Sequence, residues 1–296
     1  MSEAFEQIRY EISERIATIT LSRPEKLNAA SGIMIRELLA AFELADGDDD
    51  VGAVIVTGDG RAFCSGADLS KGEETFVHPG TETLASSGGV PAWQQEAARE
   101  MGGALALRIY NLRKPIIAAI NGGCAGFGAS LPLSMDIRLA STTAKFGFVY
   151  ARRGMVPEVC SSFFLPRLVG VSKALEWCMT GRMVLAEEAL RERLVSAVYH
   201  PEELLPAARQ LALEIVENSA PVSVALTRQM LWRGLELDHP MEAHRVESWG
   251  TFTRARAADV REGIRAYIDK RPPFFAETVS RNMPEFFPWW DEPDWQ

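Results

Sequence analysis

Two turns rich in small residues and one carboxylate after a proline carry most of the chemistry legible in this chain. The first turn is Arg61-Ala-Phe-Cys-Ser-Gly-Ala-Asp-Leu69 and the second is Asn121-Gly-Gly-Cys-Ala-Gly-Phe-Gly-Ala-Ser130; each follows an apolar run that reads as a buried strand. Small residues let backbone approach a ligand closely, and a turn that opens into a helix aims free N–H groups outward. Two such amides converging on one oxygen make an oxyanion hole, where losing one donor costs about 3–4 kcal/mol of transition-state stabilisation. The plain alternative is that the glycines serve tight turns only. The second turn lacks the G-x-G-x-x-G spacing of a dinucleotide site. The carboxylate is Glu158 in Val156-Pro-Glu-Val-Cys-Ser-Ser-Phe-Phe164. Read alone it is a helix N-terminal carboxylate facing the helix dipole, and an apolar wall of Val156, Val159, Phe163 and Phe164 would raise its pKa.

The elements around these residues alternate. Ile8, Tyr10 and Ile12, then Ile16 to Leu21, read as a strand pair. A helix is expected through Ile35, Leu38, Leu39 and Phe42, and strands over Val51 to Thr57, Ile116 to Ile120, Ile137 to Ala140 and Lys145 to Val149. Lys71 to Val90 reads as a long polar surface loop, followed by a helix with Trp93, Ala97, Met101, Ala104, Leu105, Ile109 and Leu112 on one stripe. The pattern is one of stacked β-β-α units. Beyond His200 only helices are expected, in a region that packs elsewhere or on another subunit, and the aromatic tail Pro272 to Gln296 is too apolar to be solvated. The division is thus a core over 1–200 and a helical region with its tail over 201–296.

Composition narrows the field. A chain of 296 residues with 47% hydrophobic residues builds a substantial core, and a net charge of −9 argues against a nucleic-acid binder. Met1 to Arg9 carries Glu3 and Glu6 and no apolar run, so neither a signal peptide nor membrane insertion is expected and the location is read as cytoplasmic. Cys64, Cys124, Cys160 and Cys178 have no metal spacing and read as small buried residues. No metal and no separate cofactor are expected. His78, His200, His239 and His244 read as loop or surface residues, which leaves Ser130 without a partner for nucleophilic catalysis.

Arg23-Pro-Glu-Lys-Leu-Asn-Ala29, Ala62 to Leu69 and Lys114 to Gly128 stand in the order and spacing of the crotonase (enoyl-CoA hydratase/isomerase) superfamily, which the chain resembles. The likeness continues through Asp136-Ile-Arg-Leu-Ala140, Ala144-Lys-Phe-Gly147 and Leu165-Pro-Arg-Leu-Val-Gly170. It implies an α/β fold, a spiral of β-β-α repeats with a helical C-terminal trimerisation region, assembled as a homotrimer or dimer of trimers. It also implies an acyl-CoA thioester as substrate and an oxyanion hole from the N–H groups of Ala67 and Phe127. Lys26, Leu27, Arg61, Ala67, Asp68 and Leu69 fall where the family contacts coenzyme A. Tyr267 and Lys270 resemble residues that reach a neighbouring subunit's coenzyme A phosphates, and Ser65, Ser130 and Tyr150 fall in the substrate pocket.

Hydratases of this family carry two glutamates, and by motif their places are taken by Ser130 and Tyr150. Tyr150 would either hydrogen-bond the substrate or fill space. The string Pro157-Glu-Val-Cys-Ser-Ser162 resembles that of peroxisomal-type isomerases that convert 3-enoyl-CoA to 2-enoyl-CoA with one glutamate. The expected activity is therefore enoyl-CoA isomerisation by Glu158. The alternatives are an enoyl-CoA hydratase of fatty-acid oxidation and a catalytically silent acyl-CoA-binding subunit.

Overall fold

The computed structural model describes residues 5–77 and 91–295. Two sheets lie at its centre. The larger takes β1 (Ile8–Ser13), β2 (Ile16–Leu21), β3 (Ala53–Gly58), β5 (Ile116–Ile120), β7 (Ile137–Ser141) and β10 (Ala197–Tyr199), in that order, with only the β1–β2 pair antiparallel. The smaller takes β4 (Ala62–Cys64), β6 (Gly123–Ala125), β8 (Lys145–Gly147) and β9 (Met183–Leu185). Thus β3, β5 and β7 are each followed by a short strand in the other sheet, and each pass advances one strand along both sheets. This is the spiral of β-β-α units expected from the sequence.

The helices follow from local signals. α1 (Gly32–Gly47) starts where the Ser31 hydroxyl accepts the N–H groups of Ile33 and Met34. Its Met34, Leu38, Ala41, Phe42 and Ala45, spaced by three and four, are buried in the main core beside Val54, Val56 and Ile109. α2 (Met101–Tyr110) is shorter than the expected stripe. Short 3-10 turns occupy Ala92–Gln94 and Glu96–Ala98, and Glu100 caps the helix that begins at Met101. The expected loop over 71–90 lies partly outside the described residues, as does His78; its start forms short 3-10 turns over Leu69–Glu74. α3 (Phe127–Ser130), α4 (Ser161–Val169), α5 (Val171–Thr180) and α6 (Ala186–Arg191) complete the spiral.

The region after His200 is helical: α7 (Pro201–Asn218), α8 (Pro221–Gly234), α9 (Pro240–Arg254), α10 (Ala258–Asp269) and the short α11 (Val279–Asn282). Its first helix does not pack elsewhere. Leu204, Ala208 and Ala212 of α7 cover the outer face of the large sheet, on Ile16, Ala53, Ile55, Ile117, Ala119 and Leu139. Those strands read as unbroken apolar runs because both faces are covered. The aromatic tail lies on its own chain: Phe286 meets Trp249, and Trp290 stacks on the Arg233 guanidinium. No helix among the described residues is long and apolar enough to cross a membrane.

Candidate active site

The parallel pairing of β4 with β6 brings the two glycine-rich turns side by side, Ala62 opposite Gly123 and Cys64 opposite Cys124. A Cβ on Gly66 would stand 2.9 Å from the Ala125 carbonyl oxygen, and one on Gly128 only 2.0 Å from that of Cys64, so both contacts require glycine. Ala67 is bracketed by two bonds to Ala30: Ala30 N–H donates to Gly66 O at 2.7 Å and Asp68 N–H donates to Ala30 O at 2.8 Å. In such a bridge the middle residue's own N–H points away from its partner strand. Phe127 is the first residue of α3, where the N–H has no partner within the helix. Among the described residues neither the Ala67 nor the Phe127 N–H makes a hydrogen bond. Two free amides therefore stand on adjoining turns.

Glu158 is the carboxyl beside them. Its Oε1 lies 3.7 Å from where a Gly126 Cβ would sit, next to Phe127. Its carboxyl accepts no hydrogen bond among the described residues, and it does not cap α4, whose cap position is Cys160. Burial first, and the charge of Glu100 second, push its pKa up to about 7. Of the residues expected to wall it, Val159 and Phe164 are buried and Phe163 is half-buried, but Val156 is 71% exposed and takes no part. An extended stretch before a turn has no periodicity from which its inward side could be read.

Ser130 and Tyr150 are both buried and bonded to each other, with 2.5 Å between their oxygens. The Ser130 hydroxyl also reaches Gly126 O at 2.9 Å, and the Tyr150 phenol reaches the Ser161 hydroxyl at 3.2 Å. Tyr150 is thus anchored between two serines, and burial raises the pKa of its phenol.

Six of the expected coenzyme A residues, Lys26, Leu27, Arg61, Ala67, Asp68 and Leu69, lie on the first turn and the loop fastened to it. Ser65 N–H donates to Leu27 O at 3.0 Å, and its hydroxyl reaches Lys26 O at 3.4 Å. The buried Asn28 side chain donates to Asp59 O and Ala62 O and accepts from Arg23 N–H, fastening this loop to the first turn. Leu27 and Asn28 hold positive φ there. Asp68 accepts the Ser70 N–H and pairs with Arg23 at 2.9 Å, which holds its carboxyl below the usual range. Lys26, Arg61 and Leu69 are exposed and free to meet a ligand. Tyr267, 86% exposed, and Lys270 sit at the end of α10, with no hydrogen bond or ion pair to this cluster within the chain.

Glu100 was not singled out from the sequence. Glu is not among the usual helix-capping residues, so its cap at Met101 had no clear signal in the sequence. No group of three or more metal-ligating side chains occurs among the described residues.

The model of the enoyl-CoA hydratase/isomerase family matches residues 11–278. The chain is 37% identical over 274 residues to an enoyl-CoA hydratase of Alternaria alternata, covering 92% of this chain and 87% of the relative. It is 34% identical over 272 residues to a probable enoyl-CoA hydratase of Rhodobacter capsulatus, covering 92% and 98%. Among solved structures, a probable enoyl-CoA hydratase/isomerase from Mycobacterium abscessus matches with a TM-score of 0.81 at 31% identity, over 91% of this chain and 98% of the other.

Proposed function

The chain belongs to the enoyl-CoA hydratase/isomerase family of the crotonase superfamily and is an acyl-CoA enzyme; from that premise we propose that it isomerises a 3-enoyl-CoA to a 2-enoyl-CoA with Glu158 as the single acid/base. The observation that carries this reading is the half-buried Glu158 carboxyl beside Gly126, while Ser130 and Tyr150 occupy each other.

The thioester oxygen accepts the N–H groups of Ala67 and Phe127, which favours loss of a C2 proton by stabilising negative charge on that oxygen. The Glu158 carboxylate takes the proton, the double bond shifts as the dienolate forms, and the protonated Glu158 returns a proton to C4. A group that titrates near neutrality serves both steps, since it is neither too weak as a base nor too weak as an acid. Neither step needs a metal or a second carboxylate. Lys26, Leu27, Arg61, Ala67, Asp68 and Leu69 hold coenzyme A at the mouth, partly by backbone. Exposed apolar side chains on α9 and α10, Phe252, Ile264 and Ile268, form the trimer interface, across which Tyr267 and Lys270 reach a neighbour's substrate.

A second reading is hydration of a 2-enoyl-CoA, favoured by the names of the relatives in Alternaria alternata and Rhodobacter capsulatus. Incubating the enzyme with trans-3-hexenoyl-CoA and trans-2-hexenoyl-CoA and weighing the products separates the two. Isomerisation leaves the mass unchanged. A first-formed product heavier by one water from the 2-enoyl substrate, with the 3-enoyl substrate untouched, would overturn the isomerase reading.

A further inference from the structure

We infer that Glu100 is a positioning residue for the Glu158 carboxyl, fastening the loop that presents it to the first turn of α2. The inference rests on Glu158 as the base.

Glu158 is followed by Val159 and Cys160, both non-glycine residues with left-handed φ of +54° and +53°. Residues so placed persist only where their surroundings hold them. Glu100 supplies that hold. Its Oε1 accepts the Gly102 N–H at 2.6 Å, and its Oε2 accepts both the Gly103 N–H at 2.5 Å and the Val159 N–H at 3.2 Å. One carboxylate thus closes the start of α2 and ties it to the residue next to Glu158.

The same turn reaches the second glycine-rich turn. A Cβ on Gly102 would stand 2.8 Å from Val159 Cγ2 and 3.2 Å from Phe127 Cε2, and the Cys160 thiol lies 3.9 Å from Gly103 O. The glycine pair lets α2 lie against the base loop and the Phe127 ring together. A shift of Glu100 therefore moves Glu158 relative to the two free amides.

Glu100 also acts by charge. The groups that face Glu158 electrostatically are Glu100, the Tyr150 phenol and the Cys64 thiol, while Arg99 faces Cys160. After burial, the Glu100 charge is what keeps Glu158 protonated to higher pH. A cap whose charge did not reach Glu158 would leave its titration where it is.

The test is the pH profile of kcat and KM for trans-3-hexenoyl-CoA with wild type, Glu100→Gln, Glu100→Asp and Glu158→Gln. Glu100→Gln is expected to move the lower limb of the profile to lower pH and to reduce kcat about tenfold or more, with KM little changed. Glu100→Asp keeps the charge but is too short to span both partners, so the limb stays and kcat falls. Wild-type limb and kcat in Glu100→Gln, with Glu158→Gln inactive, would overturn the role of Glu100 and leave the base in place. Wild-type turnover in Glu158→Gln would overturn the base assignment instead. Should Glu100→Gln not fold, Glu100→Asp decides: unaltered kcat in that variant contradicts the inference.

Discussion

A half-buried carboxyl that titrates near neutrality stores free energy against the fold. Glu158 binds its proton more tightly when folded than when unfolded, its pKa raised from 4.5 to about 7. Between those values the folded state holds more protons, so its stability falls as pH rises through this window and is constant above it. Glu158→Gln removes the cost, and is expected to raise stability at pH 8 by on the order of 2–3 kcal/mol relative to wild type while changing little at pH 4. Urea midpoints at the two pH values measure it; an equal change at both contradicts the raised pKa. Catalysis is expected to run in the opposite direction: with the carboxylate as the proposed base, kcat/KM rises with pH up to about 7. Tyr150 is expected to matter otherwise. Tyr150→Phe strands the hydroxyl of Ser161, while that of Ser130 keeps Gly126 O, and costs about 1–3 kcal/mol of stability with isomerisation retained. Turnover lost at unchanged stability would make the phenol a participant.

At the scale of elements, the site is a product of two tight contacts between short strands and a short helix. Gly128 admits the Cys64 carbonyl, and no side chain fits between them. Gly128→Ala must push α3 from β4, and with it the Phe127 amide from the Ala67 amide. Acyl-CoA affinity measured by calorimetry is expected to fall by tenfold or more, about 1.4 kcal/mol, with a lowered melting temperature; wild-type affinity would show that the two turns need no such approach. Much of this was legible from residue types. Apolar runs such as Ile116 to Ile120 gave the strands, and the small residues of Asn121 to Ser130 marked a close approach. What was not legible depends on contacts made across the chain. Ser130 and Tyr150 are twenty residues apart in sequence, and only the passage through β7 and β8 sets their hydroxyls together. Trp93 and Ala97 continue the spacing of α2, yet the Glu100 carboxylate accepts the Gly102 and Gly103 N–H groups and the helix starts at Met101. Val156 looked like wall and lies in solvent, since residue type alone does not give direction in an extended segment.

For the whole molecule, specific contacts tie the helical region to the spiral. Arg228 of α8 donates to the carbonyls of Ile109, Tyr110 and Leu112 and pairs with Asp136 at 2.8 Å, and Trp232 bonds the other oxygen of Asp136. Asp136 in turn accepts the Ile116 N–H, so α8 fixes the end of α2 and the start of β5 at one point. Arg228→Ala leaves Asp136 without its buried cation and takes one donor from each of three carbonyls, of which Tyr110 O and Leu112 O keep the Gln229 amide. It is expected to destabilise the protein by about 3–5 kcal/mol, read from denaturant unfolding, in one transition with the spiral. A separate early transition of the helical region would instead mark 201–296 as an independent unit. The sequence suggested that boundary from the loss of strands, but the burial of α7 on the sheet was hidden, because its apolar face does not say which surface covers it.

The central step of the proposed reaction is removal of the C2 proton by Glu158. Exchange of that proton into deuterium oxide, followed by mass on a bound acyl-CoA, measures it most directly, with acyl-CoA affinity recorded alongside. Wild type is predicted to exchange, and Glu158→Gln to bind as before while exchanging about 10²–10⁴-fold more slowly. Exchange at the wild-type rate in Glu158→Gln would contradict the account and place the base elsewhere.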